Sequence, residues 1–302
     1  MATDTELAPV QQAVTAALSD PAFTGLAAAL DQAGFPPARC IAAVHAAASQ
    51  RSLAPLRPIE AAATAAGADT MQADRYCLLQ ALAPKLERFP SLALPPDIAR
   101  LLLKEFLLIA QPDAATQRFL QAHSSALLTL AKLTSLTRFP AGCFHAEYSG
   151  IPRSFLLKTP VRDWPRLAAL VLFQLRGLKP CFEVHMNPRI RLLREADGLR
   201  AYQRMAQLME LHPEVKALVG FSWLRSPDNH RISPHLRWIN EVVVRNGGYE
   251  AVIGEAASNS GVFSNSQSRE QLAQQGVFKP TVGMVIWPRA EFLGWARTYS
   301  PA

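Results

Sequence analysis

The apolar residues of this chain follow two regimes. Through residue 138, Ala and Leu dominate, Gly is sparse, and Pro recurs at the breaks, as at Pro36-Pro37, Pro58, Pro95-Pro96 and Pro112. That pattern predicts helices over 8–18, 22–33, 37–49, 58–66, 71–88, 96–110 and 113–136. The segment from Pro96 carries Pro and Asp97 in its first turn, where helix starts favour them. At Phe139-Pro140-Ala141-Gly142 the regime changes. Beyond it, short segments with apolar residues at every second position alternate with helical ones. They predict strands at 143–149, 153–158, 180–186, 215–223, 249–255 and 280–287. Between them, helices are predicted at 161–176, 197–211, 233–245, 268–275 and 289–298. Ser233-Pro234 fits a helix start, and Asn246-Gly247-Gly248 fits a helix end. The chain thus reads as α/β or α+β. An all-helical region, 1–140, precedes a domain, 141–302, whose mixed sheet is covered by helices.

Composition narrows the class. The chain has 302 residues, 49% hydrophobic and 18% charged, which is enough for a full core and is not the balance of a disordered chain. The longest apolar runs, such as Leu167 to Leu175, are too short to span a bilayer, so no membrane partner is expected. The first residues, Met-Ala-Thr-Asp-Thr-Glu, are acidic and lack a basic segment before an apolar one, which leaves the cytoplasm as the expected location. Cys40, Cys77, Cys143 and Cys181 are widely spaced, without a Cys-x-x-Cys pair, so they read as reduced, buried residues. Charge is uneven. Residues 1–140 hold 11 basic and 11 acidic side chains, while 141–302 hold 20 and 13, and 16 of those 20 cations are Arg. All five Trp lie in the second part as well. Arg suits bidentate contact with carboxylate or phosphate, which points to an anionic ligand.

The candidate chemistry sits on two of the predicted strands. Phe144-His145-Ala146-Glu147-Tyr148 and Cys181-Phe182-Glu183-Val184-His185 each alternate apolar residues with a His/carboxylate pair. Residues two apart on a strand share a face. If the strands are neighbours, His145, Glu147, Glu183 and His185 converge, with Cys181 on the same face. Imidazole beside carboxylate is the equipment of proton transfer near neutral pH. Both strands exit through an Arg: Arg153 in Gly150-Ile151-Pro152-Arg153, and Arg189 in Asn187-Pro188-Arg189. Strand ends are where α/β folds bind ligands, and these two Arg are candidates to hold an anion.

Three functions follow. The first is a small-molecule enzyme carrying out acid–base-assisted, acyl-type group transfer on an anionic or thioester-linked substrate. Glu183 or His185 serves as base, His145 and Glu147 orient or protonate, and Arg153 and Arg189 bind the anion. The cofactor would be a thioester donor. The second is a non-haem iron oxygenase, with His145, Glu147 and His185 as a two-His, one-carboxylate triad. The third is a protein that binds RNA or an acidic partner through the Arg/Trp-rich half, the least favoured because the cations are scattered. The chain has no Gly-x-x-x-x-Gly-Lys-Ser/Thr loop, no Gly-x-Gly-x-x-Gly loop, no Gly-x-Ser-x-Gly elbow and no His-Glu-x-x-His helix. Asp228 and His230 could enter a site, but turn chemistry accounts for Ser226, Pro227, Asp228 and Asn229 without a function. Ser258-Asn259-Ser260-Gly261 reads as a solvated loop, and His45 and His123 as structural or surface residues.

Overall fold

Among the described residues, the regular elements up to residue 134 are helical, and strands begin at Arg138. The computed structural model describes residues 4–114, 116–118, 124–190, 192–256 and 267–299. His123 and the 258–261 loop lie outside the described residues. The chain divides into two units, Met1–Pro140 and Ala141–Ala302. The first contains helices α1 (Asp4–Leu18), α2 (Pro21–Gln32), α3 (Pro37–Gln50), α4 (Arg57–Ala65), α5 (Thr70–Glu87), α6 (Pro96–Ala110) and α7 (Ser124–Thr134).

Local chemistry sets these helix starts. Asp20 precedes Pro21 and accepts a hydrogen bond from the Ala22 N–H, and Asp69 does the same for Met71. Helix α5 is the centre of the unit. It buries Tyr76, Cys77, Leu78 and Leu79 in succession, so it presents no polar stripe along that stretch. Helices α1, α3, α4 and α7 pack around it. No single helix among the described residues is long and apolar enough to cross a membrane. Thr5–Leu18 and Pro21–Gln32 together have the composition, but they are bent by 63°. Val10, Val14, Phe23 and Leu30 of that pair lie in the core.

The sheet is mixed and six-stranded, in the order β1-β2-β3-β4-β6-β5. Its strands are β1 (Arg138–Pro140), β2 (Phe144–Ser149), β3 (Cys181–Met186), β4 (Ala217–Ser222), β5 (Tyr249–Glu255) and β6 (Thr281–Pro288). β2 pairs antiparallel with β3, β3 parallel with β4, and β6 antiparallel with both β4 and β5. The helices of the second unit are α8 (Arg153–Lys158), α9 (Trp164–Ala169), α10 (Glu195–Glu210), α11 (Pro227–Ile232), α12 (Trp238–Arg245), α13 (Gln267–Gln274) and α14 (Arg289–Thr298). A π-helical turn, Leu170–Gln174, extends α9.

The α/β expectation holds, with local corrections. Residues 153–158 form a helix, not a strand. A three-residue apolar run, Phe155-Leu156-Leu157, does not distinguish the two, and Pro152 supplies the extended residue before a helix start. Helix α11, absent from the sequence reading, takes up Asp228 and His230. His230 Nε2 lies 2.8 Å from the Leu224 carbonyl, and burial lowers the pKa of its ring. His45 is likewise structural, with Nδ1 2.9 Å from the Ser135 hydroxyl. Helix α12 ends as the sequence indicates, with Gly247 at φ +83° and the Gly248 N–H bonded to the Val243 carbonyl.

Each sheet face has its own cover. On one face Leu167, Leu170 and Leu175 pack with Cys181, Ala217, Val219 and Ile286. Aromatic rings fill the other: Phe144 stacks on Tyr202 with centroids 5.4 Å apart, and Tyr202 meets Trp287 edge-on at 5.9 Å. A buried arginine ties this aromatic side together. Arg225 donates to the Ile239 carbonyl (3.1 Å) and to the Tyr202 hydroxyl (2.9 Å), while Asn240 Nδ2 donates back to the Arg225 carbonyl (2.9 Å). The sheet makes room for it with glycine. A Cβ on Gly220 would sit 2.5 Å from Arg225 Nε, and one on Gly283 2.2 Å from its carbonyl oxygen.

The helical unit holds a carboxyl whose protonation reports on folding. Burial, and the Glu60 carboxyl hydrogen-bonded to it, push Asp74 up to about 7. An unfolded Asp titrates near 3.8. Through that window the native state therefore binds more proton than the unfolded chain, and stability falls as pH rises. The protein is expected to melt higher at about pH 5 than at about pH 8, and Asp74→Asn to reduce that difference by raising the pH 8 melting temperature a few degrees. A pH profile unchanged by the substitution would remove Asp74 from the account.

Candidate active site

The register of β2 against β3 places His145 opposite His185 and Glu147 opposite Glu183. Directly opposed residues on an antiparallel pair have Cβ atoms about 4.5–5.5 Å apart. Ser149 and Cys181 form the next pair on the same face. All four sequence candidates thus share one face at the centre of a two-strand ladder. His185 Nε2 lies 3.1 Å from Glu147 Oε2 and 3.6 Å from Glu183 Oε1. The Ser149 hydroxyl donates to the other Glu183 oxygen at 2.8 Å.

Burial differs across the set. His145 and Glu147 are buried. The Glu183 side chain is 12% exposed and that of His185 27%, so the imidazole is the member that solvent or substrate reaches. Burying a carboxylate is costly unless it is paired, and the nearby imidazole supplies such a pair for Glu147. Nε2 is itself buried and makes no hydrogen bond of standard geometry, so its relation to the two carboxylates is one of proximity.

The strand ends are pinned. The Ile151 N–H donates to the Leu178 carbonyl at 2.9 Å, and a Cβ on Gly150 would meet Lys179 Cγ at 2.3 Å, so only glycine fits where β2 ends beside the start of β3. At the other end the Asn187 N–H donates to the Cys143 carbonyl (2.9 Å), and Asn187 Nδ2 to that of Gly142 (3.2 Å).

The two Arg candidates are not brought together. Antiparallel pairing sends the two strand exits in opposite directions. The five steps of about 3.4 Å along a six-residue strand put roughly 17 Å between those ends. Arg153 is exposed at the first position of α8, beyond the Ser149/Cys181 end. Arg189 follows the His145/His185 end, and partial burial lowers the pKa of its guanidinium. A shared clamp on one anion is therefore withdrawn, and Arg189 is the one at the imidazole end.

Two further candidates change standing. Cys181 is fully buried, and burial pushes its thiol up to about 12, so it is an inert thiol, not a nucleophile. For the iron triad of His145, Glu147 and His185, no group of three or more His, Cys, Asp and Glu among the described residues could hold a metal ion. His145 and His185 are partners across the ladder, and with Glu147 they do not form such a group.

The sequence reading missed one polar cluster. On the opposite face of β2, Tyr148 hydrogen-bonds to His212 Nδ1 and donates to Glu214 Oε1 at 3.0 Å. Burial and Glu214 raise the phenol pKa, which keeps it a donor that fastens β2 to the turn after α10. His212 and Glu214, two apart around a Pro, were its only sequence signal.

No family model, no curated protein and no solved structure matches this chain.

The geometry implies coupling. His185→Ala removes the imidazole from between two carboxylates and leaves Glu147 opposite Glu183. In a double-mutant cycle with Glu147→Gln, the melting free energies are expected to depart from additivity by roughly 0.5–3 kcal/mol. Additive losses would show that the side chains do not interact.

Proposed function

We propose that the protein is an enzyme of acid–base-assisted acyl transfer, acting on a small anionic or thioester-linked substrate, with His185 moving the proton. The observation that carries this reading is one partly exposed imidazole whose buried Nε2 lies 3.1 and 3.6 Å from two carboxylates. Such clusters in an otherwise apolar sheet face mark sites where proton chemistry repays the cost of burial.

The roles follow from position. Glu147, buried and 3.1 Å from Nε2, is the carboxylate given the role of taking up the Nε2 proton and fixing the tautomer. Glu183 is engaged by the Ser149 hydroxyl, which makes it the orienting carboxylate and leaves the base to His185. In the reaction, His185 Nδ1 takes the proton of an acceptor amine or hydroxyl. The acceptor forms its bond to the thioester carbonyl carbon, the C–S bond breaks, and the imidazolium returns the proton to the departing thiolate. Arg189 is the residue placed to hold a substrate anion near the imidazole. We assign this activity to the cytoplasm, where four buried free thiols persist reduced.

The test uses a panel of acyl thioesters with amine and hydroxyl acceptors, read by release of free thiol. Wild-type protein is expected to release thiol from at least one donor. His185→Gln is expected to cut kcat by about 10²–10⁴-fold in protein that remains folded by circular dichroism. Arg189→Ala should instead raise KM. Full activity in His185→Gln, or no turnover of any thioester by the wild type, would reject the assignment.

A further inference from the structure

The helical segment that packs on the same sheet face as Cys181 has a second, outward face. Nine large apolar side chains stand exposed among the described residues, and five of them fall between 157 and 173: Leu157, Val161, Trp164, Leu172 and Phe173. Leu157, Val161 and Phe173 are 72–76% exposed. The opposite side of the same segment is apolar too, since Leu167, Leu170 and Leu175 are in the core. A surface helix normally turns polar residues outward. This one is apolar on both sides, and a concentrated apolar surface of this kind marks a contact with another phase or molecule.

Its rim is strongly cationic. Arg153, Lys158, Arg162, Arg166, Arg176 and Lys179 are all exposed. The only acid between 150 and 180 is Asp163, 3.9 Å from Arg162. The segment thus carries most of the net +7 of the whole chain. Trp164 has its indole N–H bonded to the Thr159 carbonyl at 3.0 Å, so what it presents outward is aromatic surface. Between the short helices lies an apolar cleft of about 300 Å³, lined by Leu156, Leu157, Trp164, Leu167, Val171 and Leu172.

We propose that this surface, residues 153–179, docks on an anionic lipid surface. Exposed Leu, Phe and Trp ringed by Lys and Arg is the composition of a segment that lies in a membrane interface without crossing it. The apolar side chains enter the acyl boundary, and the cations meet anionic headgroups. The apolar cleft has the character to accept part of an acyl chain. Charge argues against the main rival, a second copy of this chain, because a symmetric contact would set one cationic rim against another. The apolar residues also protrude from short, separate helical pieces, which suits a fluid surface better than a flat protein face.

The experiment is sedimentation of the full chain with vesicles of phosphatidylcholine alone, or mixed with phosphatidylglycerol, at low and high salt. Binding is expected on the mixed vesicles at low salt, with loss on neutral vesicles and at high salt. The double variant Leu172→Ser/Phe173→Ser should weaken binding about tenfold or more. Both residues are exposed, so its melting temperature should match the wild type. Lys158→Glu/Arg162→Glu should lose binding to the anionic vesicles, and Leu192→Ser, outside the segment, should retain it. Absence of binding, equal binding to neutral vesicles, or binding unaffected by Leu172→Ser/Phe173→Ser would overturn the proposal. A concentration-dependent dimer abolished by that same variant would overturn it too, and would give the face to a second copy of the chain.

Discussion

Everything at the candidate site depends on one register, that of β2 against β3. Side chains alternate across a strand, so a slip of one residue exchanges the faces. Here the faces are very unlike. One carries Phe144 into the rings of Tyr202 and Trp238 and Phe182 against Tyr148 and His212, and the other carries two imidazoles and two carboxylates. A slip in either strand would drive carboxylates into the aromatic layer, at several kcal/mol each without partners. The aromatic side therefore enforces the polar side. Helix α10 contributes through Gly198, where a Cβ would lie 1.9 Å from the Trp238 ring. That close approach lets Trp238 seat against Phe144 and hold β2 in phase.

The sequence showed which residues share a face because parity is local. His145 and Glu147 are two apart, as are Glu183 and His185, and no long-range knowledge is needed to align each pair. That the two strands are neighbours was a condition of that reading, since β2 and β3 are separated by more than thirty residues of helix and turn. The direction of pairing was outside the sequence altogether. The misjudgement of Arg153 and Arg189 follows from this: each leaves a strand end, and only antiparallel pairing reveals that these ends are opposite. Residues 153–158 failed for a different reason. Three consecutive apolar residues carry neither a period of two nor one of 3.6.

Other features escaped because they are decided by what covers them. Tyr148 alternates with charged residues and so reads as core, yet its hydroxyl reaches His212 and Glu214 from another part of the chain. Leu172 and Phe173 belong to a run that looks buried, and the π-helical turn rotates them outward while Leu170 and Leu175 stay in the core. The cationic excess of the second half could be counted in the sequence. That much of it gathers around one apolar surface emerges only when the segment is folded.

The Arg225 seat has a consequence for how this chain can drift in evolution. Gly220 and Gly283 lie on neighbouring strands, and each lacks a side chain because Arg225 occupies the space. A larger residue at either glycine is blocked while the arginine remains. Loss of the arginine alone empties the slot and strands the Tyr202 hydroxyl and the Ile239 carbonyl that it serves. The three positions are thus locked into joint inheritance. Among diverging descendants of this sequence they should vary as one character, and an arginine at 225 flanked by two intact glycines would identify the same fold after most other residues have changed.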